Sequence, residues 1–180
     1  RDPHRFIYAS TYERGLEPIL KYTWPKIKQA IPDASFHIFY GMNRLAKTPL
    51  GKRLFQLFKQ PGVEEHGRVD LAEIAKQKAL AGFHLYISNS ETEIDCISVR
   101  ESLLCGSIPV LGNDYVFSER DGIHVTGSTD NSTTYKKAAS IVIGSIKRGP
   151  EYLEKKRKEF KKSKTIISWE KVSEMWSKVF

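Results

Sequence analysis

The sequence predicts an α/β domain, a Rossmann-like doubly wound, mainly parallel sheet with helices on both faces. Three observations carry this. Short apolar runs alternate with helix-period segments from end to end. Gly or Pro-Gly follows several of the elements, as at Gly41, Pro61-Gly62 and Gly106. Alternation of this kind implies parallel strands joined by right-handed crossovers. At 180 residues the chain can close one core, and no internal repeat or linker divides it, so residues 1–180 are expected to form a single domain.

Residues 5–9 are an apolar run and read as the first strand. Residues 13–30 have helical periodicity, with Leu16, Ile19, Leu20, Trp24 and Ile27 on one face. Pro18 falls near the first turn, where its missing N–H is tolerated. Residues 35–40 are a second strand ended by Gly41. Thr48 and Pro49 open a helix through Gln60, apolar at Leu50, Leu54, Leu57 and Phe58, and Pro61-Gly62 stops it. Residues 63–66 are a short third strand. Asp70 and Glu73 form a capping-box pattern ahead of a helix over 71–80. Residues 83–87 are a fourth strand, 98–105 a helix, 108–111 a fifth strand and 122–125 a short sixth. The Ser/Thr/Asn/Gly stretch 127–134 reads as a loop. Residues 135–145, 151–162 and 169–179 are three closing helices, the last capped by Ser168.

Hydrophobic content of 40% with 28% charged residues marks a folded globular chain. No apolar run approaches the ~20 residues of a membrane span. The net charge of +8 is concentrated. Nine Lys/Arg and three Glu between Lys147 and Lys164 contribute +6, which leaves the remainder nearly balanced at +2. That segment reads either as a solvated helix face or as a patch facing anionic lipid or another polyanion. No nucleic-acid motif with spaced aromatics accompanies it, so no nucleic-acid partner is expected. Cys96 and Cys105 lack metal-ligand spacing, and the five histidines include no His-x-x-x-His pair, so no metal is expected. Two free cysteines fit a reduced, cytoplasmic setting, peripheral to a membrane if the basic segment meets lipid. Asn131-Ser132-Thr133 is a glycosylation sequon by pattern only. The chain opens Arg1-Asp2-Pro3-His4-Arg5 without an initiator Met or a signal peptide, as expected of a segment of a longer protein.

The most informative stretch is 88–111. It holds Glu93 and Glu101 eight positions apart: a strand enters a polar loop, a short helix carries the second Glu, and Cys105-Gly106-Ser107-Ile108-Pro109-Val110 follows. Ligands of open parallel sheets bind outside the carboxyl ends of strands. The first amides of the following helix, around Ser98, lack intrahelical acceptors and can hold a phosphate oxygen. Carboxylates beside such a site accept hydrogen bonds from sugar hydroxyls, Glu101 from a ribose and Glu93 from a second sugar. The alternative is that Glu93 caps the helix and Glu101 is a solvated surface residue. Glu91, two residues earlier, could supply the loop carboxylate instead of Glu93.

This stretch resembles the glutamate-x7-glutamate motif of group 1 GT-B glycosyltransferases, in their carboxy-terminal nucleotide-sugar-binding half. The resemblance covers most of the chain. Ser10-Thr11-Tyr12-Glu13-Arg14-Gly15 is similar to the family's first strand-to-helix turn, with Arg14 at the usual Lys before Gly15 and Ser10-Thr11 in place of the usual Gly-Arg. Tyr40-Gly41-Met42 resembles the family's second-strand turn near the nucleotide. Glu65-His66-Gly67-Arg68-Val69 resembles the strand-Gly-x-Val element near the base. Ile94-Asp95-Cys96 replaces the family's Gly-Phe-Gly, which weakens the case for close loop contacts to phosphate. Glu119-Arg120-Asp121-Gly122-Ile123-His124-Val125 and Ser168-Trp169-Glu170 resemble the family's later segments.

The resemblance implies transfer of a sugar from a nucleotide diphosphate to an acceptor hydroxyl, with retention and without a required metal or cofactor. Arg14 and Glu93 would act at the reacting centre, Arg14 on the leaving diphosphate and Glu93 on the donor sugar. Ser10, Thr11, Gly15, Gly41, Gly67, Arg68, Ser98 and Glu101 would bind the donor. The acceptor, whether glycan, lipid or protein, would sit on an amino-terminal domain of the parent chain, so this chain alone is expected to bind donor without transferring it efficiently. Two other readings stay open: a non-catalytic nucleotide-sugar-binding module, and a polyanion-binding α/β module acting through 147–164.

Overall fold

The computed structural model describes residues 1–88, 93–162 and 167–179. In chain order the elements are β1 (Asp2–Ala9), α1 (Leu16–Pro18), α2 (Trp24–Ala30), β2 (Ser35–Phe39), α3 (Pro49–Leu57), β3 (Val63–Glu65), α4 (Leu71–Leu80), β4 (Ala81–Tyr86), α5 (Ile97–Cys105), β5 (Ile108–Gly112), β6 (Ile123–Val125), α6 (Ser132–Lys147), α7 (Pro150–Lys161) and α8 (Trp169–Trp176). The strands form one sheet in the order β3-β2-β1-β4-β5-β6, parallel at every pairing. Strand order reverses between β1 and β4, which opens a crevice at the carboxyl edge.

Alternation along the strands sorts side chains between two faces. Phe6, Tyr8, Phe36, Ile38, Phe83 and Leu85 belong to the main core, packed against Leu16, Ile19, Trp24, Ile27 and residues of α6. Phe6 stacks on Phe83 at 5.6 Å, and Trp24 lies edge-on to Phe6 while donating its indole N–H to Pro61 O at 3.1 Å. The opposite face carries a smaller cluster of Ile7, Phe39 and Ala81 against Ile74 of α4.

The helix expected over 13–30 starts later and is interrupted. Gly15 takes φ 87, so helical geometry begins at Leu16. Pro25 has no N–H to donate, and its ring crowds the carbonyl one turn back. The backbone absorbs this in a π turn over Ile19–Thr23, closed by Trp24 N–H on Ile19 O. The expected caps form: Thr48, Asp70 and Ser168 accept from the N–H groups of Gly51, Glu73 and Lys171. Glu73 accepts from the Gln77 side chain at 2.6 Å. Part of the expected 127–134 loop is helix, because Asn131, the sequon residue, accepts from Thr133 N–H and starts α6 at Ser132.

The basic segment is not one helix. Gly149 (φ 89) separates α6 from α7. Arg157 is buried and donates to Gly106 O at 3.2 Å, so that cation serves packing. Lys164 lies outside the described residues. No helix among the described residues is long and apolar enough to cross a membrane.

Candidate functional site

A cleft of about 400 Å³ opens at the carboxyl edge, where strand order reverses. Ser10 and Arg14 reach it from the turn after β1, Tyr86 from the end of β4, and Glu93 to Ser98 from the approach to α5. It therefore gathers four of the residues singled out by sequence: Ser10, Arg14, Glu93 and Ser98. Arg14 forms an ion pair with Glu93, whose side chain is only 11% exposed. Burial works against the Arg14 charge, but Tyr86 and Glu93 more than offset it and hold its pKa above the ordinary arginine range. Glu17, the other carboxylate within reach of Arg14 in sequence, pairs with Arg53 instead.

Glu93 has a second attachment. Its Oε1 accepts the backbone N–H of Cys96 at 3.0 Å. This bond braces the residue before α5 and is not a helix cap, while the other oxygen faces Arg14. Glu91 lies outside the described residues. Asp95 does not cap α5: it pairs with Arg100 at 2.5 Å and Arg120 at 2.9 Å, and its carbonyl accepts from Arg120 at 3.0 Å. Two arginines therefore offset the negative charge that Asp95 brings to the cleft. Burial pushes the Cys96 thiol up to about 11, so it is protonated at neutral pH and no thiolate nucleophile stands here.

The turn after β1 is held from beneath. Tyr8, buried in the sheet, donates its hydroxyl to Thr11 O at 2.8 Å and Arg14 O at 3.0 Å. Ser10 Oγ lies 3.2 Å from the Tyr86 hydroxyl. Gly15 does not line this cleft. A Cβ there would fall 2.1 Å from Ile87 O, so Gly15 lets the turn lie against the end of β4.

A second cavity of about 230 Å³ lies over β2 and gathers Thr11, Gly41 and Arg68. Gly41 joins it to a hydrogen-bonded set that sequence reading missed. Tyr12 donates its hydroxyl to Glu65 at 2.6 Å and accepts from Gly41 N–H at 2.9 Å, and Glu65 accepts from Gly67 N–H at 3.0 Å. Gly67 also accepts from Tyr40 N–H at 2.8 Å. Gly41 and Gly67 therefore join the loops after β2 and β3. Arg68 lies 5.6 Å from the Tyr40 ring centroid, a cation–π contact. Between this cavity and α4, Ala9, Phe39, Val69 and Ile74 line a small apolar hollow.

Glu101 stands outside these cavities, on α5, but it is not a lone solvated carboxylate. Lys78 of α4, 1% exposed, donates to Glu101 at 2.5 Å, to Ser98 O at 3.0 Å and to Ser98 Oγ at 3.1 Å. Burial lowers the Lys78 pKa and Glu101 opposes that shift. Ser98 Oγ donates in turn to Ala9 O at 2.6 Å, which ties α5 to the end of β1. One sequence signal for Lys78 existed: it falls four residues after Ile74, on the inward stripe of α4.

No protein-family model and no curated protein sequence matches this chain. Solved structures match it in fold. The pneumococcal O-GlcNAc transferase GtfA, solved with UDP and GlcNAc, superposes with a TM-score of 0.67 at 17% identity, over 99% of this chain and 35% of that one. Anabaena HepE, solved with UDP and glucose, gives 0.66 at 15% identity, over 88% of this chain and 42% of that one. An α,α-trehalose-phosphate synthase (UDP-forming) from Burkholderia vietnamiensis gives 0.63 at 9% identity, over 86% and 40%. The chain thus spans between a third and a half of the length of these proteins. Its all-parallel, six-stranded sheet is the Rossmann-like α/β fold found within GT-B glycosyltransferases.

Proposed function

We propose that this chain is the donor-binding domain of a glycosyltransferase and holds a nucleotide-diphosphate sugar at its carboxyl edge. The observation that carries the reading is the convergence of Ser10, Arg14, Glu93 and Ser98 on one cleft at the β1–β4 reversal. Transfer breaks the bond between the anomeric carbon and the diphosphate oxygen. Positive charge grows on the sugar and negative charge on the departing diphosphate. Arg14 is a rigid, permanently charged partner for two phosphate oxygens, and Ser10 and Thr11 add hydroxyl donors. These groups stabilise charge as it develops. Glu93 orients the sugar, Glu101 accepts from the ribose, and the hollow at Ala9, Val69 and Ile74 takes the base beside Arg68. The family's retention of configuration, and an acceptor on a separate amino-terminal domain, complete the reading.

The test is calorimetric titration of the chain with UDP, GDP and their sugar derivatives. Saturable binding of a nucleotide sugar is expected, and no binding to any member of a broad panel overturns the proposal. Turnover by the longer parent enzyme separates a transferase from a binding module.

The two glutamates make different demands. Glu101→Gln should weaken free nucleotide and nucleotide sugar alike, by about 0.5–1.5 kcal/mol, the net scale of one hydrogen bond. Glu93→Gln should leave free nucleotide bound no more weakly and should weaken only the sugar-bearing donor. Equal losses of both ligands on changing Glu93 would show this division of labour to be wrong. Lys78→Met removes the cation that aims Glu101 while keeping an unbranched apolar stem. It should reproduce the Glu101→Gln loss, again about 0.5–1.5 kcal/mol, in a chain that still folds by circular dichroism. Unchanged nucleotide affinity would leave Lys78 as packing alone.

A further inference from the structure

Three potential ligands meet on the β2–β3 edge, on the sheet face of Phe39 rather than that of the main core. Parallel register sets His37 of β2 beside Glu64 of β3. Period-two alternation then brings His66, two residues on, to the same face as Glu64. His37 Nδ1 and His66 Nε2 are 2.9 Å apart, and Glu64 Oε2 lies 3.4 Å from the first and 3.7 Å from the second. These residues line none of the cavities described above.

We propose that His37, Glu64 and His66 form a three-ligand site for a divalent transition metal, zinc being the ion that fits best. Tetrahedral zinc, with bonds of about 2.0–2.1 Å, spaces its ligand atoms about 3.3–3.4 Å apart. The three observed separations bracket that spacing. A triangle of those sides has a circumradius of about 2.0 Å, so an ion at zinc's bond length sits just above the plane of the three atoms. Two imidazoles and one carboxylate are a donor set that zinc favours.

The surroundings hold the ligands in place. His37 is buried, and its Nε2 lies 3.0 Å from Ser35 Oγ. With the proton on Nε2, given to Ser35, the Nδ1 lone pair is left for the metal, the usual outer-shell device for a ligating histidine. The His66 ring stacks on Phe39 at 4.6 Å with an interplanar angle of 10°. Of the charged groups that act on His37, Arg5 works against a cation more strongly than either Glu64 or Asp2 works for one, and Glu64 is the anion that faces both imidazoles. Glu64 and His66 are 54% and 33% exposed, so the fourth position faces solvent. The ion would clip the three-residue edge strand β3 to β2 and steady the loop that carries Gly67 and Arg68.

The metal-stripped chain is dialysed against zinc chloride and its metal content measured, with thermal unfolding followed in parallel. One zinc per chain and a rise in Tm are expected. Glu64→Gln and His66→Ala should each weaken zinc binding at least about tenfold and remove the rise in Tm. Glu64 is exposed, so its substitution tests the site without threatening the fold. Absence of stoichiometric zinc in the wild-type chain, or retention that neither substitution alters, overturns the proposal. X-ray absorption at the zinc edge should report two imidazoles, and a shell of oxygens alone would also overturn it.

Discussion

Replacing Gly15 with alanine should cost about 2–5 kcal/mol of stability, a left-handed backbone penalty added to an overpacking penalty. Gly15 has φ 87, and a Cβ there would stand 2.1 Å from the carbonyl oxygen of Ile87. Both obstacles are backbone, so no rotamer change relieves them. Relief requires the β1 turn and the end of β4 to separate, and those two segments frame the cleft. A domain of this kind has about 5–15 kcal/mol in all, so the loss is a large share. Gly144 is the control. It lies inside α6, takes no left-handed angle, and a Cβ there meets nothing within 4 Å. Gly144→Ala should stabilise by about 0.5–1 kcal/mol, the helix preference for alanine. Urea unfolding midpoints of the two variants should therefore move in opposite directions. Similar shifts would mean that the close approach at Gly15 carries no energetic weight.

Arg14→Ala should weaken nucleotide-diphosphate binding by about 1–3 kcal/mol, the scale of hydrogen bonds to a charged group. The upper part of that range is expected, because two effects act together. The diphosphate loses its cation. Glu93, mostly buried and paired with Arg14, loses its counter-charge and faces the phosphates as a like charge. Adding Glu93→Gln to Arg14→Ala removes the second effect, so the double variant should bind free nucleotide better than Arg14→Ala alone. Calorimetry with UDP and GDP reads both outcomes. Unchanged affinity in Arg14→Ala, for a ligand that the unaltered chain binds, would remove Arg14 from the site.

The strands were legible because their apolar runs are short and bounded by turn residues. The caps at Thr48, Asp70 and Ser168 were legible because the chemistry is local. The π turn before Trp24 was not: helical periodicity reports which side faces the core, not whether an N–H reaches four or five residues back. Loop residues that line the candidate cleft stood out by type and spacing, whereas their partners did not. Arg14 and Glu93 are 79 positions apart and meet only because β1 and β4 are neighbours. Lys78 falls on the inward stripe of α4, but only the packing of α4 against α5 makes it the group that holds Glu101. His37 and His66 looked scattered for the same reason, since strand register, not sequence spacing, brings them together.

The Arg14–Glu93 pair makes the cleft its own competitor. A stray phosphate that takes Arg14 strands the carboxylate, and a free sugar that takes Glu93 strands the guanidinium. Neither fragment satisfies both halves. A molecule that delivers phosphate to one and hydroxyls to the other replaces the internal bond at both ends in a single event. The whole donor should then bind more tightly than its separated pieces would suggest, and common inorganic anions should be poor inhibitors. Selectivity of this kind comes from what a ligand must displace rather than from any additional contact.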